Sequence, residues 1–341
     1  QLVVDLLMTT TTTTTTAKKR EEEDPQDPVV IIGPQRSGTT ILLELLGKDS
    51  TRWRQLKTFE ATLPVVPEPL TATLREAVHE WLAGTEHVLD EVRHIHHERW
   101  DGPAECRALL ENGVGAPYVL WYVFGATRSI DDWQTSTDDY AFYKAQLGAL
   151  LQTHDRRRWL LKDPAHCFSL DALLEAFPKA TLVWTHRHPA DVAASLCSLM
   201  QGIWSATLRE ERLQRRKSKE ESHKPTYDAA VVEYLATMLD RAVEFRARHP
   251  EARIIDVPMR DLRENPMKVI EDIYDFAEAG PLAPAARDAM LAFLAKENAS
   301  SKKRHTYDLA DFGLDRDYIN RRFANYINAP FFPKEVVLES K

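Results

Sequence analysis

The chain has 341 residues, 43% of them hydrophobic and 28% charged, enough apolar side chain for one large α/β domain under an ordinary polar surface. Its formal net charge of −8 argues against a nucleic-acid partner, whose binder carries a basic face, but leaves room for a local cationic pocket. Three scattered cysteines, Cys106, Cys167 and Cys197, make no C-x-x-C pair, so neither a disulfide framework nor a zinc site is expected and a reducing compartment fits.

The chain opens on Gln1–Leu7, too short and too acidic for a signal peptide. A threonine tract over Thr9–Thr16 and the charged run Lys18–Asp24 follow. That composition buries nothing, so residues 1–26 read as a flexible arm and 27–341 as a single folded domain. No apolar run approaches the ~20 residues that cross a bilayer, and a cytoplasmic protein without integral membrane contact is expected. Val29–Ile32 is a continuous apolar run of the kind found in buried parallel strands. The loop Gly33–Thr39 leads into a helical pattern, Thr40–Leu46, that stops at Gly47. Further strands are predicted at Trp159–Leu161, Thr181–Trp184 and Ile254–Val257. Helices are predicted from a Ser169 cap to Phe177, from Ala190 to about Met200, and from about Pro266 to Ala277. Strands alternating with helices predict an α/β fold: a P-loop-like parallel sheet with helices on both faces. The stretches at about 70–155 and 200–250 read as helical inserts outside the sheet, the charge run Arg209–Lys224 being a solvated surface.

Two places carry chemistry. Gly33-Pro-Gln-Arg-Ser-Gly-Thr-Thr40 joins a buried strand to a helix, where backbone N–H groups and the helix N-terminus favour an anion. Gly38 allows close backbone approach, Ser37, Thr39 and Thr40 offer hydroxyls, and Arg36 offers a cation. The frame is that of a nucleoside-triphosphate P-loop, but Thr39 stands where such a loop needs lysine, which counts against a kinase. The second place is His186-Arg-His-Pro-Ala-Asp-Val-Ala-Ala-Ser195. Arg187 lies at the carboxyl end of a strand, where open α/β sheets bind ligands, and Ser195 lies in the following helix. An arginine fork and a serine hydroxyl suit a phosphate.

Taken together, these segments resemble the sulfotransferase family, in particular bacterial small-molecule sulfotransferases and the related tyrosylprotein branch. Pro34–Thr40 resembles the family's 5′-phosphosulfate loop, and Arg187 with Ser195 its 3′-phosphate pair. Trp159-Leu-Leu-Lys-Asp-Pro164, Asp171–Pro178, Asp261-Leu-Arg-Glu-Asn-Pro266 and His305-x-Tyr-x-Leu-x-Asp-Phe-Gly-Leu314 resemble further family segments, so that about 28–326 are covered. His188 departs from the family, which usually has aspartate there, and Met259 from its tyrosine.

The resemblance implies transfer of a sulfuryl group from 3′-phosphoadenosine 5′-phosphosulfate (PAPS) to a hydroxyl or amine of a small-molecule acceptor by in-line displacement, with no metal. Arg36 and Lys162 would steady the charge that develops, and Lys302, Lys303 and Arg304 either close over the 3′-phosphate or form a solvated run. The base for the acceptor's proton would be Glu60, which resembles the catalytic glutamate of the tyrosylprotein branch, or its rival His166. His94-x-His-His97 lacks the further ligands of a metal site, and Tyr118-x-x-Trp-Tyr-x-Phe124 either packs in a core or lines an acceptor pocket. A small-molecule kinase and a non-catalytic nucleotide-binding protein of the same fold are the alternatives. Acceptor identity and oligomeric state carry no readable signal.

Overall fold

The computed structural model describes residues 27–62, 64, 76–77, 80, 101–112, 134–151, 155, 157–207, 227–300 and 308–334. The amino-terminal arm, His94–His97, Tyr118–Phe124, Arg209–Lys224 and Lys302–Arg304 lie outside the described residues.

Five strands, β1 (Val29–Ile32), β2 (Trp53–Gln55), β3 (Arg158–Lys162), β4 (Thr181–His186) and β5 (Ile254–Pro258), form one sheet in the order β2-β3-β1-β4-β5. Every pairing is parallel, so each connection must cross a face of the sheet, and helices fill those crossings. In chain order they are α1 (Thr39–Leu46), α2 (Thr58–Thr62), α3 (Arg107–Leu110), α4 (Thr137–Leu150), α5 (Leu170–Ala176), α6 (Pro189–Thr207), α7 (Tyr227–Arg248), α8 (Met259–Glu264) and α9 (Pro266–Phe276), with further helices over Pro284–Ser300, Arg316–Arg322 and Ala324–Ile327.

The side-chain alternation of the strands feeds two cores. Val29, Ile31, Leu160 and Val183 pack with Leu42 and Leu45 of α1 and with Ile270 and Ile273 of α9. Their neighbours Val30, Ile32, Leu161 and Trp184 face the other way, toward Leu196 of α6 and Leu235 and Leu239 of α7. A sheet buried on both faces explains why β1 is apolar at all four positions. Among the described residues no helix is long and apolar enough to cross a membrane.

The four expected strands and the helices after them are present, with ends moved by a residue or a few and α6 running on to Thr207. β2 was not expected. It is three residues long and carries Arg54 in its middle, so it offers no apolar run to read. Ser169 does precede α5, but it makes no side-chain cap there. Its Oγ accepts instead from the Thr135 backbone N–H at 2.8 Å, fixing the entry to α4.

The chain leaves β1 at the centre of the sheet, runs out to β2, returns to β3 on one flank of β1, and then crosses to β4 on the other. The carboxyl ends of β1, β3 and β4 therefore meet where the winding reverses direction, the place where open α/β sheets take ligands.

Candidate active site

The loop after β1 is shaped by contact with β4. A Cβ on Gly33, at φ +121°, would stand 2.4 Å from the Thr185 carbonyl oxygen, so only glycine fits that turn. Ser37 Oγ donates to the Pro34 carbonyl at 2.5 Å and lies 2.6 Å from Thr185 Oγ1. Ser37 is fully buried, so its hydroxyl braces the loop against β4 and faces inward, where a ligand donor was expected. Arg36 takes a left-handed backbone conformation, φ 67°, uncommon for a side chain with a Cβ. That twist brings its guanidinium across to α6, where Nε donates to Ser195 Oγ at 3.0 Å. Arg187 in turn donates from Nη1 to the Arg36 carbonyl at 2.8 Å. The loop and the strand-end pair read separately from the sequence thus meet in one place.

Gly38 at φ +93° precedes α1 and supplies no side-chain cap, so the first N–H groups of that helix are open to an anion. Thr39, Thr40, Arg36 and Gln35 line a cavity together with Lys162, Glu105 and Arg107 and with Leu196, Leu199 and Met200 of α6. Lys162 is almost fully buried. Its Nζ donates to Thr40 Oγ1 at 3.3 Å and makes a short ion pair with Glu105 Oε1.

Backbone bonds put Glu105 there. The Cys106 N–H donates to the Lys162 carbonyl at 3.0 Å, and the Arg107 N–H donates to Asp163 Oδ2 at 2.6 Å. Ala104 is fastened on the other side to the Leu56 carbonyl. Residues 104–107 are thereby stitched across the ends of β2 and β3, and Glu105 spans two cations, its Oε2 lying 3.2 Å from Arg107 Nη1. Asp163 is wholly buried; burial first, and the nearby Glu105 charge second, raise its pKa to about 6. Its Oδ1 also accepts from the Ala165 N–H at 2.9 Å, so both oxygens serve the backbone.

The two residues expected to receive a proton lie elsewhere. Glu60, on α2, accepts the Lys57 backbone N–H at 2.9 Å and makes a short ion pair with Arg54. Arg54 is itself stacked 4.8 Å from the Trp159 ring centre and lies near Asp155. Glu60 is not part of the wall of this cavity. His166 is buried, its Nδ1 2.7 Å from the Tyr140 hydroxyl and its Nε2 without a hydrogen-bond partner among the described residues. Burial lowers its pKa to about 3, so the ring is neutral at any physiological pH. His166 also lies outside the cavity wall. Glu105, Arg107, Asp163 and Arg54 were missed by sequence reasoning. The Lys-Asp-Pro segment was a signal for Asp163; nothing in the spacing of Ala104-Glu-Cys-Arg107 tells that it crosses the sheet ends.

Among the described residues, the wall brings the Arg36 and Arg107 guanidinium groups, the Lys162 ammonium, the Thr39 and Thr40 hydroxyls and the Glu105 and Asp163 carboxylates around one cavity. Residues 28–280 match the sulfotransferase family. Sulfotransferase STF9 from Mycobacterium avium is similar in structure, with 25% identity, a TM-score of 0.66, and coverage of 92% of this chain and 80% of that one. Sulfotransferase STF1 from Mycobacterium tuberculosis H37Rv is similar at 26% identity and a TM-score of 0.68, covering 89% of this chain and 78% of its own. No curated protein sequence matches the chain. The fold, the cationic cavity at the carboxyl end of its sheet and the matched 28–280 together show that this chain belongs to the sulfotransferase family and is a sulfotransferase enzyme.

Proposed function

We propose that the enzyme takes its sulfuryl group from PAPS and passes it by in-line displacement to a hydroxyl or amine of a small-molecule acceptor. The observation that carries this reading is that Arg36, which lines the cavity together with Lys162, is hydrogen-bonded to Ser195 through its side chain and to Arg187 through its carbonyl, in a loop where Thr39 replaces the lysine of a triphosphate site. The donor set fits an anionic nucleotide. The N-terminus of α1 with Thr39 and Thr40 would hold the 5′-phosphosulfate. Arg187 and Ser195 would hold the 3′-phosphate, and Lys302, Lys303 and Arg304 would close over it. PAPS supplies an activated sulfuryl group on a phosphate leaving group.

The protein's part is positioning and charge. Arg36 and Lys162 would steady the negative charge that builds up on bridging and sulfuryl oxygens, as preorganised donors do where charge develops in a transition state. No step in this scheme calls for a metal, because arginine and lysine supply the positive charge. Leu196, Leu199 and Met200 give the cavity an apolar side suited to excluding water. For the acceptor's proton the resemblance offers Glu60 and His166. The first would act only once its Arg54 pair opens, the second only after leaving a core where it carries no charge.

Incubation with sulfur-labelled PAPS and a panel of phenols, alcohols and amines tests the reading. Label should move to at least one acceptor class and 3′-phosphoadenosine 5′-phosphate (PAP) should accumulate in equal amount. PAP that fails to bind, or label that never leaves PAPS, would count against it.

A further inference from the structure

We propose that Glu105 is the carboxylate that receives the acceptor's proton, and that the donor uncovers it by drawing Lys162 away. The inference rests on the sulfuryl-transfer reading above and adds a catalytic residue to it. Among the described residues of the cavity wall, Glu105 and Asp163 are the two that carry a carboxylate. Asp163 has both oxygens held by backbone N–H groups and is wholly buried. Glu105 makes ion pairs with side chains: Lys162 through Oε1 and Arg107 through Oε2. Side-chain partners can be exchanged without unfolding the segment that carries the carboxylate, because that segment is anchored independently by the Cys106 and Arg107 backbone bonds.

The exchange has a direct electrostatic reason. Lys162 is the ammonium that the sulfuryl and bridging oxygens of the donor would take, and it now neutralises Glu105 from a nearly buried position. When an anionic donor engages Lys162, Glu105 loses its closest counter-charge and gains a like charge beside it. Both changes favour its protonated form, which makes it a better base at the moment sulfur arrives. The acceptor oxygen forms its bond to sulfur, its proton goes to a Glu105 oxygen, and the sulfur–oxygen bond to the 5′-phosphate breaks with the electron pair leaving on that phosphate. Protonated Glu105 then returns its proton to water, and Lys162 returns to the carboxylate as PAP departs.

The test uses the full chain as wild type, Glu105→Gln and Glu105→Asp, with the melting temperature recorded to verify folding. In calorimetric titration with PAP at low salt, Glu105→Gln removes the competitor for Lys162, and affinity should rise roughly fivefold, the worth of one modest ion pair. With labelled PAPS and water alone as acceptor, sulfate release should fall about 10²-fold or more in the same variant. Glu105→Asp should keep part of the activity, since it keeps the carboxylate. Weaker PAP binding by Glu105→Gln would mean that the residue merely scaffolds Lys162 and would overturn the proposal, as would sulfate release within threefold of wild type. A wild-type chain that does not bind PAP sinks the sulfuryl-transfer reading itself, a result separate from either of these.

Discussion

Two glutamates flank the ends of β2 and β3, and each makes one short ion pair, but they are built for different ends. Glu60 pairs with Arg54, a residue stacked on Trp159, and its other oxygen accepts the N–H that opens α2. Neither of these partners lines the cavity. Glu105 pairs with Lys162 inside a cavity that also holds Arg36 and Thr40. The difference lies in the neighbours of each carboxylate, and not in its distance along the chain from the loop after β1. A pair whose partner is itself a ligand-binding cation can be opened by the ligand; a pair between two framework residues cannot.

The comparison can be sharpened by substitution. The largest effect should come from Arg36, on the cavity side. Arg36→Gly keeps the left-handed backbone, so the loop should survive while turnover falls about 10²–10³-fold, some 3–4 kcal/mol of transition-state stabilisation. Full activity in steady-state assays would remove Arg36 from the charge-stabilising role. Next comes Arg187→Ala, which should lower PAP affinity roughly 10–10²-fold, the range for losing a charged hydrogen-bonding partner. Because the 3′-phosphate is remote from sulfur, turnover at saturating donor should change far less, and a pure turnover loss would contradict the assignment.

On the scaffold side the effects should be on stability. Glu60→Gln should cost about 1–2 kcal/mol in urea unfolding, as expected for weakening a charged hydrogen bond in a half-screened setting. If it leaves stability untouched and lowers turnover 10²–10⁴-fold, the range for a general base, then Glu60 reaches the acceptor after all and the contrast between the two glutamates collapses. The smallest effect belongs to His166. Its folded pKa of about 3 lies below the ordinary value of about 6.5, so between those limits the unfolded chain binds the extra proton and stability falls as pH falls. Replacing His166 by Asn should therefore remove about 1 kcal/mol of the stability lost between pH 6.5 and 5.5. Asp163 works in the opposite direction below its folded pKa of about 6, protonation there favouring the folded state, so the comparison is cleanest above pH 6. Melting curves of both proteins across that range give the answer.

Much of the fold was legible because it was written in local pattern. The apolar runs of β1, β3 and β4 are buried on both sides and look the same in sequence as in space. The loop from Gly33 into the first helix was legible because strand, loop and helix follow one another directly, and the structure ties it to Arg187 through the Arg36 carbonyl. What escaped detection depends on contacts between distant segments. β2 is too short and too polar to show a period. Glu105 reaches Lys162 only because the Cys106 N–H bonds to the Lys162 carbonyl, and no spacing rule encodes that bond. Ser37 escaped for a related reason: its hydroxyl was read as facing the ligand, whereas the Thr185 hydroxyl turns it inward.

The central claim is that this cavity is made for a 3′-phosphorylated nucleotide carrying a sulfuryl group, and nucleotide titration of the wild-type chain tests it most directly. Calorimetry with PAP and with Mg·ATP in the same buffer should show PAP bound about 10²-fold or more tightly. That margin is what contacts of Arg187 and Ser195 with a 3′-phosphate would be worth when Thr39 stands in place of a P-loop lysine. Mg·ATP binding as tightly as PAP, or more tightly, would contradict the account.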